Sequence, residues 1–323
     1  MPDLTRPPPL RRGDRVGVFA PASPPRQPSD LQRGLTALRE RFEVVTLRSF
    51  DEPHGYLCGH DETRLDELNT LLARDDLRAL FSVRGGYGTM RLLPHLDYEA
   101  ARAHPKLLVG YSDITALHLA LYEKAGLVGL SGPMVAAEWK DLDERTERLF
   151  WELAEGGAPG PLVGPADEHL SPVRPGTAQG PLVGGNLSMI QRLVGTPFLP
   201  DLENAILYIE DIGEQPYHID AMLAHLKMAG VLGKLGGLVA GAFTNWEPDH
   251  DRPTLSPGEV IADYAEDLDA PVASDLVYGH FPVKNTLPVG APARLDVTDD
   301  TAELSLLEPV VENSNFKTAH PES

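Results

Sequence analysis

Between residues 15 and 130, short apolar runs alternate with stretches of helical spacing, and this alternation constrains the fold more than any other feature of the chain. The runs at 15–20, 43–47, 78–83, 107–109 and 128–130 have the length and continuity of buried strands. Between them, Leu31, Leu35, Leu38 and Phe42 mark one helical face, and Leu65, Leu68 and Leu72 mark another. Ser29 and Gln32 read as a capping box opening the first of these helices. The stretch Arg84-Gly85-Gly86-Tyr87-Gly88-Thr89 turns the third strand into a helix. Residues 113–124 carry Ile114, Leu117, Leu119 and Leu121 at mixed but mostly helical spacing. The alternation predicts an α/β fold with a parallel sheet covered on both faces, and ligands at the carboxyl ends of its strands.

The proline-rich residues 1–13 are expected to lie extended on the surface. After residue 155 the character of the chain changes. Residues 156–180 hold many prolines and glycines and no clear period, which reads as a linker. Strands follow at 205–210, 237–243 and 272–278, with helices at 216–232 and after Ser256-Pro257-Gly258-Glu259, a capping box with proline at its first helical position. Residues 293–297 and 302–306 alternate around Asp299-Asp300 as a half-exposed hairpin should. The organisation expected is a first domain over 1–155, a linker over 156–180, a second domain over 181–311 and a frayed tail over 312–323. The length of 323 residues suits such a pair of cores.

The formal charge of -20, from 48 acidic and 28 basic residues, repels phosphate backbones and anionic lipid, so neither nucleic acid nor membrane is expected as a partner. No apolar run approaches the roughly 20 residues of a membrane span. The run at 16–20 is too short for a signal-peptide core. The single cysteine, Cys58, excludes a disulfide framework within one chain and fits a reducing compartment, so the expected location is the cytoplasm.

Three strands end in residues fit for acyl transfer. The run at 107–109 ends in Gly110-Tyr111-Ser112, ahead of the helical stretch. A strand–turn–helix of this kind pushes a serine hydroxyl out at a helix N-terminus, where free amides favour developing negative charge. Ile114 stands where the usual elbow has its second glycine, and an N-capping role is the plain alternative for Ser112. The strand at 205–210 ends in Glu210-Asp211, and the third ends ahead of His280. A serine hydroxyl needs an imidazole to take its proton, and the imidazole needs a carboxylate to fix its tautomer. Alternation along a strand lets only one of Glu210 and Asp211 face His280. Gly85 and Gly86 let backbone approach a ligand, and the amides of Gly86 and Asp113 would make an oxyanion hole. With Ser112 in one half of the chain and its partners in the other, the site would straddle a cleft between them.

Taken together, Ser82-Val83-Arg84-Gly85-Gly86-Tyr87-Gly88, Gly110-Tyr111-Ser112-Asp113, Gly184-Gly185-Asn186-Leu187, Ile209-Glu210-Asp211 and Gly279-His280 resemble the LD-carboxypeptidases of the serine peptidase class, the muramoyltetrapeptide carboxypeptidases. The resemblance implies a triad of Ser112, Glu210 and His280 and an oxyanion hole from Gly86 and Asp113. It implies a first domain like that of class I glutamine amidotransferases and a swivelling β/α second domain. The implied activity cuts the L,D-bond before the terminal D-alanine of a cytoplasmic murein tetrapeptide during cell-wall recycling, without metal or cofactor and in a homodimer. A related branch cleaves microcin-type peptidyl or acyl adenylates and confers immunity; this chain resembles it too.

Around that set, Arg84 or Lys284 would receive the substrate's terminal carboxylate, Asn186 would hydrogen-bond a peptide backbone, and Tyr87 and Trp246 would form apolar walls. His54, Cys58 and His60 lack a clear fourth ligand, so no metal is expected there. Asp249-His250-Asp251 reads as a solvated loop. The turn Gly85-Gly86-Tyr87-Gly88-Thr89 is close to the phosphate turn of NAD and lipid kinases, but Tyr87 replaces the aspartate such chemistry needs.

Overall fold

The computed structural model describes residues 3–158, 160–162, 169–247 and 253–312. The first five predicted strands all form: β1 (Arg15–Phe19), β2 (Glu43–Thr46), β3 (Ala79–Ser82), β4 (Leu107–Val109) and β5 (Gly129–Ser131). They lie parallel in the order β5-β4-β3-β1-β2. Val16, Val18, Leu80, Phe81 and Val109 have no exposed surface, each contributing about 1.5–3 kcal/mol of apolar burial. Helices α1 (Pro28–Arg39), α2 (Asp61–Ala73), α3 (Tyr98–Ala103) and α4 (Thr115–Ala125) alternate with the strands, and α5 (Glu144–Ala154) follows them. The order agrees with the expected α/β sheet.

Local departures have physical causes. Helix α1 starts one residue earlier than Ser29, with Gln27 at its N-cap and Pro28 setting the first-turn geometry, so the predicted Ser29–Gln32 box does not form. The glycine turn leads first into two short 3₁₀ turns, Thr89–Arg91 and Leu93–His95, before α3. Residues 1–13 do not simply coat the surface: Leu10 is fully buried and its amide donates to the Ala154 carbonyl at 2.8 Å. Helix α4 has no clean stripe because it is buried nearly all round, from Thr115 to Tyr122. It packs on β5 on one side and on elements of a second sheet on the other.

That second sheet holds β6 (Ser171–Arg174), β7 (Gly176–Asn186), β8 (Ile206–Ile212), β9 (Gly237–Thr244) and β10 (Val272–Ser274). After β10 the chain crosses back and adds β11 (Leu287–Val289) antiparallel to β5, on the edge of the first sheet. It returns through the hairpin β12 (Ala291–Val297) and β13 (Ala302–Leu306), which pairs as predicted. The order is β13-β12-β7-β8-β9-β10-β6, with β7 to β10 parallel. Residues 171–180, read from composition as linker, are strands; their prolines and glycines hid the pairing. Helices α6 (Leu187–Leu193), α7 (Pro216–Met228) and α8 (Pro257–Glu266) complete the fold, α8 with its Ser256–Glu259 capping box formed. Residues 249–251 and the tail from 313 lie outside the described residues.

The strand predicted over 272–278 stops at Ser274. Asp275 takes a left-handed φ of 60°, and the chain then rejoins β9 through Leu276 N–H to the Ala240 carbonyl and Ala242 N–H to the Tyr278 carbonyl. The residue delivering His280 is therefore an irregular segment clamped to a strand rather than a strand end.

His118, on α4, is fully buried and its Nε2–H donates to the Gly110 carbonyl at 2.8 Å. Burial pulls its imidazole down from 6.5 to about 4. The folded value lies below the unfolded one, so the neutral ring adds stability above pH 6.5 that is lost as pH falls through about 4. Over that window this one group should account for a slope of up to about 1.4 kcal/mol per pH unit. Urea-denaturation midpoints measured against pH should show the slope in the native protein and its loss in His118→Gln.

Candidate active site

Strand β4 ends at Val109, and Gly110 and Tyr111 carry the chain to Ser112, which takes a left-handed φ of 65° before the 3₁₀ turn Ser112–Ile114 leads into α4. For a residue with a side chain that conformation costs about 1 kcal/mol or more. The surrounding contacts impose it. The Gly110 amide donates to the Leu130 carbonyl at 3.2 Å. Asp113, next to Ser112, accepts the Thr89 amide at 2.9 Å and the Thr89 hydroxyl at 2.8 Å. Asp113 is buried, and burial raises its carboxyl above the usual carboxylate range. These bonds tie the serine turn to the glycine turn. Gly85 completes the fit: a Cβ there would stand 2.9 Å from Ser112 Cβ and 3.1 Å from its Oγ.

The partner carboxylate comes from β8. The register of β8 against β9 shifts between Ile209 and Asp211, where Gly241 and Ala242 of β9 lie opposite the single residue Glu210. Glu210 is fully buried, and its Oε2 lies 2.7 Å from His280 Nδ1. With Nδ1–H donating to that carboxylate, the neutral ring keeps Nε2 as an acceptor. Asp211 does not compete for the imidazole. It accepts the Ser188 and Ile212 amides, each at 2.8 Å, and burial raises its carboxyl. Both carboxylates nevertheless meet one side chain: Asn186 Nδ2 donates to Asp211 at 2.8 Å and to Glu210 at 3.3 Å.

Ser112 and His280 line one open cleft of about 600 Å³, together with Arg84, Gly86 and Arg26. No Ser112–His280 hydrogen bond is present among the described residues. The amides of Gly86 and Asp113 have no protein partner among the described residues. Arg84 is half-buried, with only a long 3.4 Å bond to the Pro24 carbonyl and no carboxylate beside it among the described residues. Burial and the neighbouring Arg26 lower its guanidinium from the usual value. The cleft thus offers a hydroxyl, an acceptor imidazole, two free amides and, in Arg84, a guanidinium without an acid partner among the described residues.

Other predicted residues lie elsewhere. Asn186 is 5% exposed and, besides donating to the two carboxylates, caps α6 by accepting the Met189 amide. Lys284 is buried against Glu138 at 2.8 Å, so it is no receptor for a substrate carboxylate. Tyr87 projects outward, edge-on to Tyr56, and Trp246 is not part of the cleft wall. His54 and His60 stack at 3.9 Å and Cys58 is buried; among the described residues no group is arranged for a metal ion. Thr89, the threonine of the kinase-like turn, is engaged by Asp113. Tyr111 and Glu138 were missed in the sequence: Tyr111 packs its ring edge on His280 with centroids 5.0 Å apart and donates to Glu138 at 2.7 Å. Its position beside Ser112 was the available signal.

Residues 16–132 match the LD-carboxypeptidase N-terminal domain and residues 179–295 the LD-carboxypeptidase C-terminal domain. A Bacillus subtilis protein described as a probable murein peptide carboxypeptidase is 36% identical over 97% of this chain and 97% of its own length. The microcin C7 self-immunity protein MccF of Escherichia coli is 27% identical over 93% of this chain and 95% of its own. The crystal structure of muramoyltetrapeptide carboxypeptidase from Oxalobacter formigenes superposes with a TM-score of 0.80 at 32% identity, covering 90% of this chain and 98% of that one.

Two outcomes follow from the packing at Ser112. In Gly85→Ala the added methyl displaces the serine, and turnover should fall about a hundredfold while the thermal midpoint moves little. Replacing Ser112 by glycine relieves the left-handed strain, so Ser112→Gly should be about 1 kcal/mol more stable than Ser112→Ala in denaturant titrations.

Proposed function

The chain belongs to the LD-carboxypeptidase family of serine-type carboxypeptidases, and from that membership we propose that it hydrolyses the L,D-peptide bond before the terminal D-alanine of murein tetrapeptides. The observation that carries the reading is the Glu210–His280 contact of 2.7 Å in a cleft shared with a strained Ser112. His280 Nε2 takes the Ser112 proton as Oγ attacks the carbonyl carbon, and Glu210 stabilises the imidazolium. The negative charge on the carbonyl oxygen falls to the amides of Gly86 and Asp113. The imidazolium returns its proton to the leaving D-alanine nitrogen, the C–N bond breaks, and water releases the acyl group by the reverse steps.

Arg84 is the group we assign to the substrate's terminal carboxylate, being charged, half-buried and without an acid partner among the described residues. Because no Ser112–His280 bond is present, closure of the cleft would complete the arrangement, consistent with a swivelling second domain over 181–311 beside a glutamine-amidotransferase-like first domain over 1–155. The same reading places the enzyme in the cytoplasm, recycling cell-wall peptide as a homodimer. Among the described residues no helix is long and apolar enough to cross a membrane.

The similarity to MccF favours a second reading, hydrolysis of microcin-type peptidyl or acyl adenylates at the same serine. Purified protein incubated with tetrapeptide should release free D-alanine by mass spectrometry. Ser112→Ala and His280→Ala should each lose about a thousandfold or more, since triad members act as a unit. Full release by Ser112→Ala would end the proposal. Tight binding of an acyl-sulfamoyl adenosine, with no tetrapeptide turnover, would transfer it to the second reading.

A further inference from the structure

Behind His280 lies a buried ion pair that the reaction as written does not use. Lys284, four residues beyond His280, donates from Nζ to Glu138 Oε1 at 2.8 Å, and the two side chains are 1% and 9% exposed. The same oxygen accepts the Tyr111 hydroxyl at 2.7 Å, and Oε2 accepts the Met134 amide at 2.9 Å. The Lys284 ammonium stands 3.8 Å from the Tyr111 ring centroid, on the ring whose edge meets His280. The segment bearing His280 is closed by Asn285 N–H to the Val277 carbonyl at 2.8 Å and pinned by Lys284 N–H to Thr146 Oγ1 at 3.1 Å. Tyr111 and Glu138 follow strands of the first sheet, whereas Lys284 belongs to the segment that carries His280 away from the second.

We propose that Tyr111, Glu138 and Lys284 form a positioning relay that sets the orientation and the protonation of His280. The relay is electrically neutral, one carboxylate against one ammonium, so Glu210 is left as the carboxylate that governs the imidazole directly. Tyr111 is held protonated, since burial and then Glu138 push its hydroxyl well above its ordinary value, so it remains a donor. The groups facing His280 are Glu210 at Nδ1, Tyr111 against the ring with Glu138 and Lys284 behind it, buried Tyr278 two residues before it, and, on the cleft wall, Arg26, Arg84, Asp30, Lys140 and Asp141. Deleting the ammonium alone leaves net negative charge behind the ring and favours imidazolium. Deleting both charges restores neutrality. A pair that merely joined the two halves of the chain would have no such signature.

The proposal rests on the reading of His280 as general base, and its test includes a readout independent of turnover. In Lys284→Met, the acid limb of the kcat/KM–pH profile should move up by about one pH unit, and kcat should fall about tenfold with little change in KM. The His280 imidazole, titrated by NMR in the full-length protein, should move by the same amount. Both should return toward the native position in Lys284→Met/Glu138→Gln. A limb and a titration that stay in place in Lys284→Met overturn the relay, whatever happens to kcat, as does a double variant as shifted as the single one. If Lys284→Met does not fold, Glu138→Gln carries the test: it leaves the ammonium unpaired behind the ring, so a downward shift of the imidazole supports the relay and an unchanged titration overturns it. Full turnover in His280→Ala would remove the proposed catalytic role, and the imidazole titration in the lysine and glutamate variants would still decide the relay.

Discussion

The main-chain amide of Asn186 donates to the Thr115 hydroxyl at 3.0 Å, three residues beyond Ser112, and the rest of the site depends on that contact. It seats the end of β7 on the first turn of α4. The approach is close because Gly185 offers no side chain; a Cβ there would stand 2.3 Å from the Thr115 oxygen. Next to β7 runs β8, with Asn186 opposite Glu210 in register. This contact between the two halves therefore helps set the distance between a serine at the end of the first sheet and a carboxylate in the second. Helix α4, buried almost all round, is the rigid body through which that distance is transmitted.

Burial shapes the electrostatics at each layer. Glu210, Asp211 and Asp113 are all nearly or fully buried in a chain of net charge -20, and such carboxylates persist only where donors converge on them. Asn186, Ser188 and Thr89 supply those donors. The donors tie each carboxylate to a neighbouring turn, so groups that hold charge also hold geometry. On the cleft wall the balance is opposite: Arg84 lacks an acid partner among the described residues, and that is where a ligand's negative charge would be most welcome.

The first sheet was legible because its strands are apolar on both faces and its helices carry stripes, patterns with distinct periods. Thus β1, β3 and β4 fall within one or two residues of the runs at 15–20, 78–83 and 107–109. The chain was less legible where glycine and proline interrupt regular pairing. Strand β7 begins with Gly176 and Gly180, and its residues up to 180 looked like linker, yet it lies inside the second sheet between β12 and β8. The irregular segment ahead of His280 looked like strand because its apolar residues are buried while only part of its backbone pairs. Strand β11 was missed because three residues carry no period, and its joining of the first sheet is a long-range event.

Local patterning, turn chemistry and motif order thus determined the α/β class, the serine turn and the family, since each depends on residues near one another in the chain or on their order. Alternation along the strand left Glu210 and Asp211 as rivals; the fold turns Glu210 to the imidazole, as the family resemblance implied, and Asp211 to the Ser188 and Ile212 amides. The fold also decided that Asn186 is buried against Glu210 and Asp211, and Lys284 against Glu138. Whether a polar side chain faces solvent or another polar group depends on which segments pack over it, and those segments lie 24 residues away for Asn186 and 146 for Lys284.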